Sequence, residues 1–279
     1  MVRVSFADAD GVSIRCIDHG GDGPDLVLVH ATGFHANVWD PYVPRLQDRF
    51  RVVAIDQRGH GGSDKPPAGY EWEAFGRDVL AAVDHLGLSE PAGVGHSAGA
   101  AALVLAQVSR PSTFSRLVLL DPVTPPPEWR EAAAHRPNPM AETARGRRAV
   151  WESREQMSER LRAGSPLQTW RPEFLRAYVQ HGTSERADGC YELCCPPEVE
   201  AQIYETSQRQ LAWEGLAELR CPTLVVGGTH PTALWRDTEP ATRRNPCVAG
   251  ATVEGGHFFP MEDPEGTLAV VLPFLGAAA

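Results

Sequence analysis

Gly95-His96-Ser97-Ala98-Gly99 restricts what this chain can fold into more than any other stretch. It follows the short apolar run Ala92-Gly93-Val94 and opens an alanine-rich segment, Ala98 to Val108, that reads as a helix. A G-x-S-x-G pentapeptide between a strand and a helix is the pattern of a nucleophile elbow. Crowding explains the spacing. A turn sharp enough to lift a serine hydroxyl off a sheet leaves no room for side chains two positions either side, so glycine stands at both. The same turn aims the Ala98 N–H, at the helix N-terminus, toward the place where an oxyanion would form. The competing reading is a serine in a glycine-rich turn without chemistry, and the rest of the chain weighs between the two.

Val2 to Phe6 and Val12 to Ile17 alternate in polarity and are joined across Ala9-Asp10-Gly11, which predicts a β-hairpin. Leu26 to Val29, Val52 to Ile55 and Leu117 to Leu120 are continuous apolar runs, as strands buried on both faces require. Between them Phe75, Val79, Val83 and Leu86 recur at helical spacing, with Gly87 placed to cap. Strands alternating with helices predict an α/β fold with a mostly parallel sheet. Beyond Asp121-Pro122 the pattern breaks. Four prolines (Pro122, Pro125, Pro126 and Pro127) form a stiff exit into a segment rich in arginine and glutamate. Helix-like stretches near 141–163, 172–179 and 197–204 make it a helical cap over 122–215, inserted into a core of 1–121 and 216–279. Its charges read as solvated helix faces, and its aromatics as packing, with some lining a pocket. The core resumes at Pro222 to Val226, with a helix expected around 233–243, a strand near 251–253 and a last helix opened by Asp263-Pro264.

Length and charge limit the partners. The chain has 279 residues, 42% hydrophobic, enough for one large domain or a core with an insertion. A formal net charge of -10 argues against nucleic acid or an anionic membrane. No apolar stretch is long enough to span a bilayer, and Met1 to Ser5 lead into a strand rather than a signal sequence, so a cytoplasmic protein is expected. Of the 6 cysteines, Cys190, Cys194 and Cys195 cluster downstream of His181, but they match no standard zinc spacing and are expected to be reduced thiols.

Four motifs in order then agree: His30-Ala31-Thr32-Gly33 after the first buried run, Asp56-x-Arg58-Gly-His60-Gly-x-Ser63 after the second, the elbow at Ser97, and Gly256-His257-Phe258 near the C-terminus. Together they resemble the α/β-hydrolase superfamily, and most of all its capped members with a serine nucleophile. The resemblance covers essentially the whole chain. It implies an eight-stranded, mostly parallel sheet flanked by helices, with the active site between core and cap. The chain departs from the pattern in having Ala31 after His30 and His96 before the serine, and in where the acid stands.

Ser97 needs a base, because a serine hydroxyl is almost un-ionised at neutral pH. His257 is the candidate, since the superfamily's chain order puts the histidine last. A carboxylate must fix its tautomer and stabilise the imidazolium. The position common in the superfamily, after Thr223 to Val226, reads Gly227-Gly228-Thr229-His230-Pro231 and holds no acid. Asp121 is preferred, with Asp237 as the alternative. One helix joins the elbow strand to the strand before Asp121, so a right-handed crossover makes the two parallel with their carboxyl ends on one edge. By resemblance the second oxyanion donor beside Ala98 is the backbone N–H of Thr32. His96 is expected to brace its loop, His35 to face the pocket or pack, and His30 and His60 to pack. Asp56, Arg58 and Ser63 are expected to hold their loop to the sheet.

The function these residues imply is hydrolysis of a small or medium apolar carboxylic ester through an acyl-serine, without metal or organic cofactor, by a monomer or homodimer. Carbon–carbon bond hydrolysis and perhydrolysis use the same triad. A serine at 97 argues against the haloalkane dehalogenase and epoxide hydrolase mechanisms, which need a carboxylate there. The missing acid after Val226 keeps open a ligand-binding homologue without catalysis.

Overall fold

Apolar runs too short for helices and bounded by polar turns become the strands of one central sheet. The computed structural model describes residues 2–133, 137–230, 234, 238 and 242–276. Its main sheet has eight strands in the order β1 (Arg3–Ala9), β2 (Val12–Gly20), β4 (Arg51–Ile55), β3 (Asp25–Val29), β5 (Ala92–His96), β6 (Arg116–Leu120), β10 (Thr223–Gly228) and β11 (Val248–Val253). β2 runs antiparallel to β1 and to β4, and every pair from β4 to β11 is parallel. This is the mostly parallel α/β sheet the sequence predicts. Asp10 (φ 56°) and Gly11 (φ 82°) are both left-handed, as the tight turn of a twisted hairpin demands.

Because helices cover both faces, the apolar runs divide by alternation. Val27, Val29, Val53, Ile55, Leu117 and Leu119 enter one core. Leu26, Leu28, Val52, Ala54, Val118 and Leu120 enter the other. None of these side chains is more than 1% exposed, and each of the valines, leucines and isoleucines contributes about 1.5–3 kcal/mol by leaving water. The helix Ala98–Ser109 is buried from Ala98 to Gln107. Its small residues let the helix Trp72–His85 approach closely, where a Cβ on Gly76 would lie 3.1 Å from the Ala106 nitrogen.

The segment between β6 and β10 differs from the expected all-helical insertion. It carries helices and also a three-stranded antiparallel sheet, formed by β7 (Val150–Trp151), β8 (Thr183–Glu185) and β9 (Tyr191–Leu193) in the order β7-β9-β8. The helix expected over 141–163 is two helices, Pro139–Arg145 and Arg154–Arg162, parted by β7. Asn138 and Ser153 start them, accepting from the N–H groups of Met140 and Gln156. Two of the segment's arginines also lie over rings: Arg148 lies 4.6 Å from the Trp151 centroid and Arg154 lies 4.5 Å from that of Tyr191. The helix Ala212–Glu218 runs across position 215 and packs Gly215 against Val104 of the core. Most of the helix expected over 233–243, with Asp237, lies outside the described residues. The last helix, Pro264–Gly276, starts as read, with the Asp263 carboxylate accepting from the Gly266 N–H at 3.0 Å. Among the described residues, no helix is long and apolar enough to cross a membrane.

Candidate active site

β5 ends at His96 and a helix begins at Ala98, so Ser97 makes the whole turn, with φ 56° and ψ -113°. Such a backbone costs a serine about 1–3 kcal/mol and persists only where its surroundings enforce it. The Ser97 N–H is held by the Leu120 carbonyl at 2.9 Å. A Cβ on Gly95 would lie 2.6 Å from the Ala100 nitrogen, and one on Gly99 would lie 2.3 Å from the Val29 oxygen. Both glycines of the pentapeptide are therefore steric necessities.

Register explains what faces the serine. β5 and β6 are parallel neighbours pairing His96 with Leu120, so Ser97 and Asp121 leave the sheet at the same edge. The Asp121 side chain is fully buried, and His257 Nδ1 lies 2.6 Å from its Oδ2. The Leu234 N–H donates to both its oxygens, at 3.0 and 2.8 Å. A carboxylate can only accept, so the imidazole proton sits on Nδ1 and leaves Nε2 bare. That Nε2 is 3.0 Å from Ser97 Oγ. Hydroxyl, imidazole and carboxylate thus form one hydrogen-bonded chain, with the serine 6% exposed.

Gly99 approaches the carbonyls of Val29 and His30 so closely that the loop after β3 lies directly beside the elbow. Ala98 is the first residue of its helix, where an N–H has no partner in its own helix. Among the described residues, neither the Ala98 nor the Thr32 N–H meets an acceptor. Gly33, next to Thr32, is committed, because its N–H donates to His60 Nε2 at 2.9 Å. The loop after β4 shapes this stretch further. Gln57 donates through Nε2 to the His30 carbonyl at 2.7 Å and through its backbone N–H to His30 Nε2 at 3.0 Å. Below it Asp56 accepts from the Ala36 and Gly62 N–H groups, Ser63 donates to the Asp56 carbonyl, and Arg58 pairs with the buried Asp78. The Asp-x-Arg-Gly-His motif holds its loop to the sheet, as the sequence suggests. Its link to the Thr32 loop through Gln57 and His60 was not legible, because nothing in the spacing shows which loops touch.

His30, His60 and His96 are buried among these bonds, and burial depresses each from 6.5 to about 3. The unfolded chain therefore binds protons that the folded chain refuses once pH falls below 6.5. Stability from these three is complete above that value and is lost as pH falls toward 3. Near pH 5 the loss is about 4 kcal/mol per pH unit for the three together. Urea unfolding at pH 7 and pH 5 is expected to show a lower midpoint at pH 5; equal midpoints would contradict the burial of neutral imidazoles.

An aromatic layer packs against the histidines of the site, Phe34 meeting His96 at 6.1 Å and Phe258 meeting His257 at 5.1 Å between centroids. Phe34 meets Trp170 at 5.1 Å and Tyr178 at 5.6 Å between centroids, and Phe258 meets Trp170 at 5.7 Å. Phe34 and Phe258 belong to core loops, whereas Trp170 and Tyr178 come from the inserted segment. His35, read from sequence as facing the pocket or packing, packs: its Nε2–H donates to the Tyr178 carbonyl at 3.1 Å and its ring stacks on that of Tyr178. His96 donates to the loop of His257, through Nε2 to the His257 carbonyl at 2.8 Å. Cys195 is buried, and Cys190 and Cys194 are half-buried free thiols.

Comparison with known proteins identifies the family. The model of the alpha/beta hydrolase family matches residues 26–270. The chain is an α/β hydrolase. One curated relative is the 2-(acetamidomethylene)succinate hydrolase of Mesorhizobium japonicum, 38% identical over a match covering 36% of this hydrolase and 36% of that enzyme. The match thus spans about a third of that relative's length. The 3-oxoadipate enol-lactonase 2 of Acinetobacter baylyi is 24% identical over 75% of this chain and 72% of its own. The crystal structure of an E-2-(acetamidomethylene)succinate hydrolase superposes with a TM-score of 0.82 at 24% identity, covering 99% of this chain and 100% of the other. That likeness establishes the fold of the hydrolase.

Proposed function

We propose that this α/β hydrolase cleaves small or medium apolar carboxylic esters through an acyl-serine intermediate, with Ser97, His257 and Asp121 as its triad. The observation that carries the reading is His257, bridging Ser97 Oγ at 3.0 Å and Asp121 at 2.6 Å. Ser97 Oγ attacks the ester carbonyl while His257 Nε2 takes its proton. Asp121 holds the imidazole in the Nδ1–H tautomer and stabilises the cation that forms. The N–H groups of Thr32 and Ala98 receive the oxyanion; losing one such donor typically costs about 100- to 1000-fold in rate. His257 then protonates the departing alcohol, and water, deprotonated by the same imidazole, releases the acid. The rings of Phe34, Trp170, Tyr178 and Phe258 favour an apolar acyl group. The enol-lactonase relative supports the ester reading, since a lactone is a cyclic ester.

The acetamido group in the name of the other relative favours a second reading, cleavage of a bond other than an ester by the same triad. Stopped-flow hydrolysis of p-nitrophenyl acetate and butyrate, beside p-nitroacetanilide, separates the two. We expect a burst of about one nitrophenol per chain from the esters, with the acyl mass on the Ser97 peptide. Turnover of the anilide alone would favour the second reading. Inertness toward all three, with no adduct, would favour a binding protein.

A further inference from the structure

The loop that delivers His257 is pinned at Gly255, whose carbonyl accepts from the His230 N–H at 2.9 Å, and at Gly256, whose carbonyl accepts from the Phe259 N–H at 3.2 Å, but neither bond reaches the backbone of His257 itself. Gly255 (φ 135°) and Gly256 precede the histidine, and glycine leaves a backbone many alternatives. Asp121 fixes the imidazole through Nδ1, but a bond at the ring does not fix the backbone from which the ring hangs. The backbone has a tether of its own. His96, the last residue of β5, lies next to Ser97 in sequence and is 0% exposed. Its Nε2 is 2.8 Å from the His257 carbonyl, and among the described residues no other group hydrogen-bonds to that oxygen. A carbonyl only accepts, so the proton of His96 sits on Nε2 and its Nδ1 is bare. That Nδ1 is buried and has no hydrogen-bond partner. An unpaired buried acceptor costs free energy that a leucine in this apolar setting would avoid. The ring lies between those of Phe34, Phe258 and His257, the last at 5.0 Å between centroids. A residue kept at that cost with one working atom points to a task for that atom.

We infer that His96 is a positioning residue, whose Nε2–H sets the distance between the nucleophile's strand and the base's loop by holding the His257 carbonyl. This rests on the proposed triad but not on the choice of substrate. Only the Nε2 end is used, so side-chain length separates two conservative replacements. The amide nitrogen of glutamine reaches the place of Nε2, whereas that of asparagine reaches only the place of Nδ1, where nothing waits.

The test is the rate at which a fluorophosphonate labels the protein, which reads the activation of Ser97 without reference to any natural substrate. In His96→Asn and His96→Leu the maximal labelling rate is expected to fall by about 100-fold, the usual consequence of displacing a reacting group by an ångström. The probe concentration giving half that rate is expected to stay unchanged. His96→Gln is expected to label at close to the parent rate. Melting temperatures accompany each variant, and should the leucine variant fail to fold, the glutamine–asparagine pair still decides. Equal labelling by asparagine and glutamine variants overturns the inference, as does a parent protein that does not label. A parent that labels but turns over no ester contradicts the substrate reading alone.

Discussion

Ser97→Ala is expected to lower ester turnover by about 10⁶-fold, close to the loss from removing the whole triad in a serine hydrolase. The expectation follows from what Oγ does. Its one hydrogen bond among the described residues is to His257 Nε2, so its loss removes the attacking atom and takes away no structural bond. The turn itself is imposed by Gly95, Gly99 and the Leu120 carbonyl, none of which the substitution touches. Alanine carries the same left-handed backbone as serine at nearly the same cost. The melting temperature should therefore stay within a few degrees while kcat collapses, a remnant surviving from the oxyanion donors and binding. Turnover of p-nitrophenyl butyrate by the purified variant checks this. A variant retaining a tenth of the parent rate would move the nucleophile elsewhere.

Asp121→Asn is expected to cost about 10⁴-fold in kcat with little change in KM. The two groups that reach the carboxylate explain the size. The Leu234 N–H and His257 Nδ1 both need an acceptor. An asparagine oxygen kept toward Leu234 turns its amide N–H₂ toward His257. Nδ1 must then accept, the proton moves to Nε2, and the imidazole can no longer take the proton of Ser97. The opposite orientation leaves the amide oxygen at the place of Oδ2, within reach of both His257 and the Leu234 N–H, but sets the amide N–H₂ at the place of Oδ1, 3.0 Å from that same N–H, donor against donor. Steady-state kinetics of the two proteins measure the loss. Unchanged kcat would exclude Asp121 and return attention to Asp237.

Where local sequence determines geometry, the chain was readable. The pentapeptide around Ser97 reads directly because a turn that tight excludes every side chain but hydrogen at two positions, and the structure places the Val29 oxygen where a Gly99 Cβ would stand. Asp121 could be placed because a single helix between β5 and β6 leaves one handed way to connect them, and the two strands are neighbours. The inserted segment was less legible. β7, β8 and β9 have two or three residues each, too few for alternation to show, and β7 broke the stretch 141–163 that reads as one helix. That Trp170 and Tyr178, rather than Trp151 or Trp213, pack on Phe34 beside the site depends on how the segment folds back, a long-range fact with no local signature. The bond from His96 to the His257 carbonyl joins residues 161 positions apart and is of the same kind.

The central claim is that His257 activates Ser97. The most direct measurement is peptide mass mapping after brief exposure of the parent and of His257→Ala to a fluorophosphonate. The account predicts one adduct, on the peptide carrying Ser97, formed readily in the parent and slowed by at least about 10³-fold in the variant. An adduct on another residue, or Ser97 labelled as fast without the imidazole as with it, would contradict it.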